Sequence, residues 1–275
     1  MPKNKCRLML DSGAFTAWTQ GEKINLEDYI RYIKKHKDII DTYFNLDVIP
    51  GKPNKKRTYE MVQKSAARSY DNLQIMKKAG LNPIPVFHQG EDFEWLKKMR
   101  HELYIALGGL GGQSDTESII WLDKCFDMLT TEDGYPTHKV HGLGVSSFDL
   151  LRRYPWFSCD STAWAKTSAY GSILVPTYRK GKPDYALNPT KITISDVDRD
   201  NGTPPDHYCR MGSMMQERVK DFLTNHVGIT IKQVRTNYVE RAKAVVYFMK
   251  KFEKAIGDVV FKQKGSTFNF TSSGD

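Results

Sequence analysis

The chain has 275 residues, of which 40% are hydrophobic and 12% aromatic, so it can bury a substantial core and fits one α/β domain. The 41 Lys and Arg residues outnumber the 32 Asp and Glu residues, and the net charge of +9 favours an acidic partner such as nucleic acid. The four cysteines stand singly, which argues against a disulfide framework and favours a reducing compartment. No apolar run reaches membrane-spanning length and the start MPKNKCRLMLD lacks a signal core, so we expect a cytoplasmic protein.

Apolar runs alternate with helical patterns along most of the chain. The runs predict strands in RLML, TYFNLDVIP, NPIPVFHQG, YIALGGLGG, KVHGLGVSS and WFSCDSTAW. An amphipathic helix is predicted over 25–40 with Asn25 as its N-cap, and another from Tyr59 to the terminating Gly80. Shorter helices are expected in DFEWLKKMRHE, TESIIWLDKCFDML and FDLLRRY.

This alternation predicts a parallel sheet, and its number of units favours a TIM-type (β/α)8 barrel with a C-terminal helical extension. The segments GSILVPTYR and KITISD are candidates for the two strands that complete the barrel. We predict a catalytic barrel over residues 1–200, a helical segment over 201–263 packed on it, and a disordered tail over 264–275.

Polar or glycine residues follow the predicted strands, where a parallel barrel has its active site. The strand ends are Asp11-Ser12-Gly13, Asn45-Leu46-Asp47, His88-Gln89-Gly90, Gly108-Gly109, Gly142-Leu143-Gly144 and Asp160-Ser161. A single aspartate there could be only a helix cap, and a glycine only a turn residue. The whole set is better explained as one site.

In these strand ends the sequence resembles the tRNA-guanine transglycosylase superfamily, particularly its phage-type 7-deazaguanine DNA transglycosylase branch. The resemblance covers residues 7 to 164 and consists of short motifs in the right order. The motifs are DSGAF, similar to the family's DSGGF, then FNLD, FHQG, ALGGLGG, HGLGV and FSCDS.

The resemblance implies a role for each of these positions. Asp160 is expected to be the nucleophile and Asp11 the acid/base carboxylate. The remaining substrate-binding positions are Ser12, Asp47, Gln89, Gly108, Gly109 and Leu143. Asp47 and Gln89 would recognise the edge of a guanine-like base, Gly108 and Gly109 would lie against it, and Leu143 would pack under it.

These residue types suit the chemistry. Attack on C1′ of a nucleotide passes through an oxocarbenium-like state, which an ionised carboxylate can stabilise and then trap as a covalent glycosyl-enzyme. The incoming base must lose a ring proton, which a second carboxylate can accept. The target nucleotide must also leave its stack, so a flipped base or an unpaired strand is implied.

Basic residues lie where a nucleic acid would be expected. The loop after the second strand contains Lys52, Lys55, Lys56 and Arg57, and Arg179 and Lys180 follow a later strand. The last helix is also basic, and includes Arg241. Trp18, Trp164 and Tyr170 are candidates for stacking on a base, although such residues also form cores.

The chain departs from the classical tRNA enzymes in its metal motif. Those enzymes bind zinc through CxCxxC and a distant His, whereas this chain offers only His207, Cys209 and His226. A tetrahedral zinc site normally needs four ligands, so we predict no metal and no other cofactor.

We therefore expect an enzyme that replaces guanine in DNA with a free 7-deazaguanine derivative, as a phage would do to evade restriction in its host's cytoplasm. Three alternatives stay open: the same exchange on tRNA, a nucleoside or glycoside hydrolase using Asp160, and a catalytically silent nucleic-acid-binding barrel. The base inserted, the target sequence, the oligomeric state and the survival of a remnant zinc site at His207, Cys209 and His226 are left open.

Overall fold

The computed structural model describes residues 8–111, 114–196 and 205–262. The chain divides into two compact units. The first contains the described residues up to Val145, Tyr154–Asp160 and those from Val260 on, and the second contains Ser146–Arg153 and Ser161–Val259. These boundaries differ from the predicted domains, whose limits stay a prediction. The predicted tail, 264–275, lies outside the described residues.

The first unit is built on parallel strands that pair in chain order. They are β1 (Leu8–Leu10), β2 (Ile40–Tyr43), β3 (Val86–His88), β4 (Tyr104–Gly108), β5 (Lys139–Gly142) and β6 (Ser158–Cys159). β1 pairs with β2, and β3 through β6 form one sheet. A parallel bridge between Phe44 and Ile84 connects the two sets. The carboxyl ends of these strands consequently point the same way.

Helices connect the strands of the first unit. They are α1 (Ala14–Gln20), α2 (Leu26–Lys35), α3 (Tyr59–Lys78), α4 (Phe93–Met99) and α5 (Asp115–Leu129). Asn25 caps α2 as predicted, accepting hydrogen bonds from two backbone N–H groups. α2 ends earlier than predicted, since Ile40 pairs with Leu8 and so belongs to β2. Gly80 follows α3 with φ of 80°, which suits a residue after a helix end.

The two faces of the sheet bury different side chains, because successive residues of a strand point to opposite sides. Phe87, Ile105, Leu107 and Val140 are fully buried on one side. On the other side lies an apolar cluster of Phe44, Ile84, Val86 and Ala106, with Leu143 packed against it. The polar residues at the carboxyl ends of the strands adjoin this second face.

The second unit combines short strands with helices. Its elements are α6 (Phe148–Arg153), α7 (Ala163–Ala169), β7 (Ser172–Val175), β8 (Thr177–Arg179), β9 (Lys182–Asp184), β10 (Thr190–Thr193), α8 (Ser213–Asp221), a π-helical turn (Phe222–Val227), α9 (Ile231–Thr236) and α10 (Tyr238–Ile256). Buried side chains of β7 and β10 pack with Phe222 and Phe248 in its core. Arg241, predicted to belong to a basic helix surface, is buried and donates to the carbonyls of Ser168 and Val234.

The parallel α/β architecture is confirmed, but the eight-stranded closure is not seen. The segments proposed as the last two barrel strands do form strands, yet β7 and β10 pair with each other antiparallel. A parallel pair needs a crossover connection, whereas the β8–β9 hairpin lies between these two strands. Among the described strands, none pairs so as to close the parallel sheet. None of the described helices combines the length and apolarity required to cross a bilayer.

Candidate active site at the strand ends

The predicted site residues up to Asp160 all belong to the first unit. Asp11 and Ser12 follow β1, Asp47 follows the bridge after β2, and Gln89 follows β3. Gly108 ends β4, Leu143 follows β5 and Asp160 follows β6. Because the strands are parallel, these positions share one edge of the sheet.

Asp47 is held from two sides. The Ser12 hydroxyl donates to Oδ1 of Asp47 at 2.9 Å, and Nε2 of His88 lies 3.0 Å from Oδ2. Only 10% of the Asp47 side chain is exposed. Burial by itself raises the pKa of Asp47, but the hydrogen bond and charge of His88 outweigh it and leave the pKa below its ordinary value.

His88 lies between two carboxylates; the sequence placed it at a strand end but indicated no individual role for it. Its Nδ1 is 3.1 Å from Oε1 of Glu91, whose other oxygen accepts the His88 backbone N–H. Burial lowers the pKa of His88, but the hydrogen bonds that its ring donates to Asp47 and Glu91 outweigh burial and raise the pKa to about 10. The three-residue spacing of His88 and Glu91 is a local pattern that could have indicated this pair. No local pattern indicated the contact of His88 with Asp47.

Asp11 does not act as a helix cap, which was the structural alternative for it. Gly13 occupies the N-cap position of α1, and Thr58 rather than Asp47 caps α3. Asp11 keeps contact with solvent, yet partial burial raises its pKa, and the negative charges of Asp47 and Asp160 raise it further. Asp11 therefore takes up a proton more readily than an ordinary aspartate.

The surroundings of Asp160 shift its pKa in the direction opposite to that of Asp11. Oδ1 of Asp160 accepts the Gly144 N–H at 2.7 Å and lies 3.5 Å from Nε2 of His141. His141 is the main cause of a lowered pKa at Asp160, burial opposes it, and the Gly144 N–H adds to it. The side chain is 60% exposed, so an ionised carboxylate is open to a substrate.

Gly108 ends β4 and Gly109 follows it, and a side chain at either position would be tightly crowded. A Cβ on Gly108 would lie 3.1 Å from Cδ2 of His88 and 3.4 Å from Cδ1 of Leu143. Gly109 has φ of 82°, and a Cβ there would lie 3.1 Å from the backbone nitrogen of Gln89. The glycines, His88, Gln89 and Leu143 are thus close neighbours.

The side chain of Gln89 presents an amide oxygen that is available to accept a hydrogen bond. Its Nε2 is 3.5 Å from the Glu117 carbonyl, a long contact. Its Oε1 is buried and has no hydrogen-bond partner among the described residues. A buried acceptor without a donor costs free energy, and this cost is removed when a donor reaches the acceptor.

The basic loop after β2 is attached to α1. Lys52, Lys55, Lys56 and Arg57 are all exposed. Trp18 donates its indole N–H to the Gly51 carbonyl at 2.8 Å, and the Arg57 guanidinium lies 5.1 Å from the centre of the Trp18 ring. Trp18 thus contacts the loop as well as being a candidate for stacking.

The other predicted nucleic-acid contacts lie in the second unit. Arg179 and Lys180 are exposed at the β8–β9 turn, and Arg179 lies 3.7 Å from Asp184. Trp164 and Tyr170 are exposed on and after α7. Their predicted role in binding nucleic acid stays a prediction.

The two histidines among the three candidate zinc ligands contact other groups. Nε2 of His207 lies 3.2 Å from the Ser195 carbonyl oxygen, and Nδ1 accepts the Cys209 N–H at 3.2 Å. His226 lies 3.4 Å from Asp221. Within the described ranges, His, Cys, Asp and Glu form no cluster of three suited to a metal.

The site therefore offers an accessible carboxylate with a lowered pKa at Asp160 and a second carboxyl group with a raised pKa at Asp11. Neither known protein families nor curated proteins match the sequence. The chemistry is inferred from the side chains themselves. Two carboxyl groups whose pKa values are moved apart form a pair suited to nucleophilic and acid/base roles.

Proposed function

We propose that the chain is a base-exchange transglycosylase that replaces guanine in DNA with a 7-deazaguanine derivative. The main support is the electrostatic difference between Asp160, whose pKa is lowered, and Asp11, whose pKa is raised, at one edge of the parallel sheet. We further propose that this sheet is the core of a TIM-type barrel, because its strands pair in chain order and its polar residues follow their carboxyl ends.

In the first step an oxygen of Asp160 attacks C1′ of the target nucleotide. The bond from C1′ to the guanine nitrogen breaks, its electron pair leaves with the base, and Asp11 donates a proton to that nitrogen. Both the Gly144 N–H and His141 approach Oδ1, so Oδ2 is the oxygen expected to attack. The product is a glycosyl ester of Asp160.

In the second step the incoming base displaces the ester. Asp11, now ionised, accepts the proton from the ring nitrogen of the deazaguanine, which bonds to C1′ as the ester bond breaks. Asp160 recovers its electron pair and charge. The two half-reactions are equivalent in chemistry, and they need no cofactor.

We assign recognition of the base to Asp47 and the residues around it. His88 keeps this carboxylate ionised, and each of its oxygens can accept a further hydrogen bond from an N–H of the base. Oε1 of Gln89, which has no hydrogen-bond partner in the part of the chain that the structure describes, is a second acceptor. Gly108 and Gly109 allow a planar base to approach the backbone, and Leu143 offers an apolar contact.

The deciding experiment is incubation of the purified protein with duplex DNA and, separately, with bulk tRNA. Labelled guanine or a 7-deazaguanine is supplied, and nucleosides are measured by mass spectrometry. Label is expected in DNA. Incorporation only into tRNA would identify tRNA, and not DNA, as the substrate. Release of free base without incorporation would favour a hydrolase. Binding without either reaction would favour a catalytically silent nucleic-acid-binding protein.

Asp11→Asn tests the acid/base role through the pH profile. Asp11 must be ionised to accept a proton, and its raised pKa places the acid limb of the second half-reaction above the range of an ordinary aspartate. We expect the variant to lose about 100-fold or more in rate, the scale of general-base catalysis, and to lose that limb. The same acid limb in the variant would exclude Asp11 as its origin.

Replacing Lys55, Lys56 and Arg57 together by Ala tests the basic loop. If all three contact phosphates, the slope of log affinity against log salt becomes shallower by about 2 to 3 units. The matched control replaces Lys34, Lys35 and Lys37, which are exposed and precede β2 at the opposite edge of the sheet. Equal slopes in the two triple variants would remove the loop from the interface.

A further inference from the structure

A row of polar side chains extends from Asp160 into the interior face of the sheet. The strand register pairs Ala106 with His141 and His141 with Ser158. Because side chains alternate along each strand, Tyr104, His141, Ser158 and Asp160 lie on the same face. His141 is only 2% exposed, and its ring packs 4.9 Å from that of Phe44.

The contacts in this row are sequential. Tyr104 Oη and Ser158 Oγ are 2.6 Å apart, and Ser158 Oγ and Nδ1 of His141 are also 2.6 Å apart. Nε2 of His141 is then 3.5 Å from Oδ1 of Asp160. This last separation is long for a hydrogen bond, and Nε2 is a buried nitrogen that makes none among the described residues.

The direction of each hydrogen bond in this row follows from which groups carry a hydrogen that they can donate. An ionised Asp160 only accepts, so Nε2 must carry the hydrogen that faces it. A neutral imidazole then has an acceptor at Nδ1, so Ser158 donates to it, and Ser158 can in turn only accept from Tyr104.

We propose that Tyr104 and Ser158 fix His141 as its Nε2–H tautomer, so that His141 is a positioning residue that holds Asp160 ionised and oriented for attack. The catalytic consequence rests on the proposed function, but the tautomer does not. The arrangement reverses that of serine hydrolases, in which a buried carboxylate orients a histidine toward an exposed serine. Here the exposed end is the carboxylate, and the serine hydroxyl lies between two internal partners.

Nitrogen-15 NMR of the histidine-labelled protein tests the tautomer directly. His141 is assigned as the signal that disappears in His141→Gln. The expected wild-type result is hydrogen on Nε2 and an acceptor at Nδ1. Ser158→Ala removes the donor to Nδ1, so the Nε2–H form should lose its dominance, while Tyr104→Phe, which leaves that donor in place, should retain it. Hydrogen on Nδ1 in the wild-type protein, in either the neutral or the cationic ring, would overturn the proposal.

Exchange kinetics test the positioning role separately. His141→Ala should lower kcat about 100-fold with KM little changed, because misplacing a reacting group costs about this much. His141→Gln retains an N–H at the Nε2 position and should recover most of the loss. Equal losses in His141→Ala and His141→Gln would exclude the donated N–H as the cause. Absence of exchange in the wild-type protein would refute the proposed function, and the NMR result would still decide the tautomer.

Discussion

Asp160→Asn is expected to lower the exchange rate by about 10⁴-fold or more, on the scale of removing a catalytic nucleophile. The amide is neutral and nearly isosteric, so it can still accept the Gly144 N–H but cannot form the glycosyl ester. Fold and nucleic-acid binding should therefore persist. Exchange is measured by incorporation of labelled base, and the ester by intact-protein mass spectrometry after denaturation.

Asp38→Asn is the matched control, because Asp38 is an exposed aspartate of the first unit that lies between α2 and β2, away from the strand ends. It should exchange at the wild-type rate. A folded Asp160→Asn protein that retained exchange would remove Asp160 as the nucleophile. A glycosyl adduct on another residue would do the same and would identify the replacement.

His88→Ala is expected to destabilise the protein by about 3 to 5 kcal/mol, the usual cost of removing one partner from a buried ion pair. The substitution leaves the buried carboxylates of Asp47 and Glu91 without the imidazolium between them. It should also weaken binding of the base, because Asp47 loses the partner that keeps it ionised. Urea unfolding measures the first effect, and the KM for the free base measures the second.

His101→Ala provides the control for the stability measurement. Nε2 of His101 lies 2.8 Å from Glu102, but the histidine is 55% exposed, and exposed ion pairs contribute about 0 to 1 kcal/mol. A destabilisation of His88→Ala no larger than that of His101→Ala would show that the Asp47–His88–Glu91 cluster does not stabilise the fold.

The same cluster predicts a pH dependence of stability. The pKa of His88 rises from the ordinary 6.5 to about 10 on folding, so the folded chain holds this proton more tightly than the unfolded chain. The stabilisation is complete below pH 6.5 and is lost as the pH rises through about 10. The difference in free energy of unfolding between wild type and His88→Gln should therefore shrink over this range; a constant difference would contradict a charged His88.

Much of the candidate site could be predicted from the sequence, since it depends on strand order. Asp11, Asp47 and Asp160 each follow an apolar run, and parallel strands bring their carboxyl ends to one edge. Helix limits were less predictable. The apolar pattern of α2 continues into Ile40, and only the pairing of Ile40 with Leu8 assigns that residue to β2.

The parallel α/β class of the first unit and the positions that follow its strands were predictable from the sequence, because both depend on local periodicity and chain order. Tertiary structure decided the partners. His88 ends one apolar strand and His141 lies within another, and neither position indicates the contacts with Asp47, Ser158 and Asp160, which are distant in sequence. It also decided that β7 and β10 pair antiparallel, since periodicity makes a segment a strand without specifying its neighbour or direction.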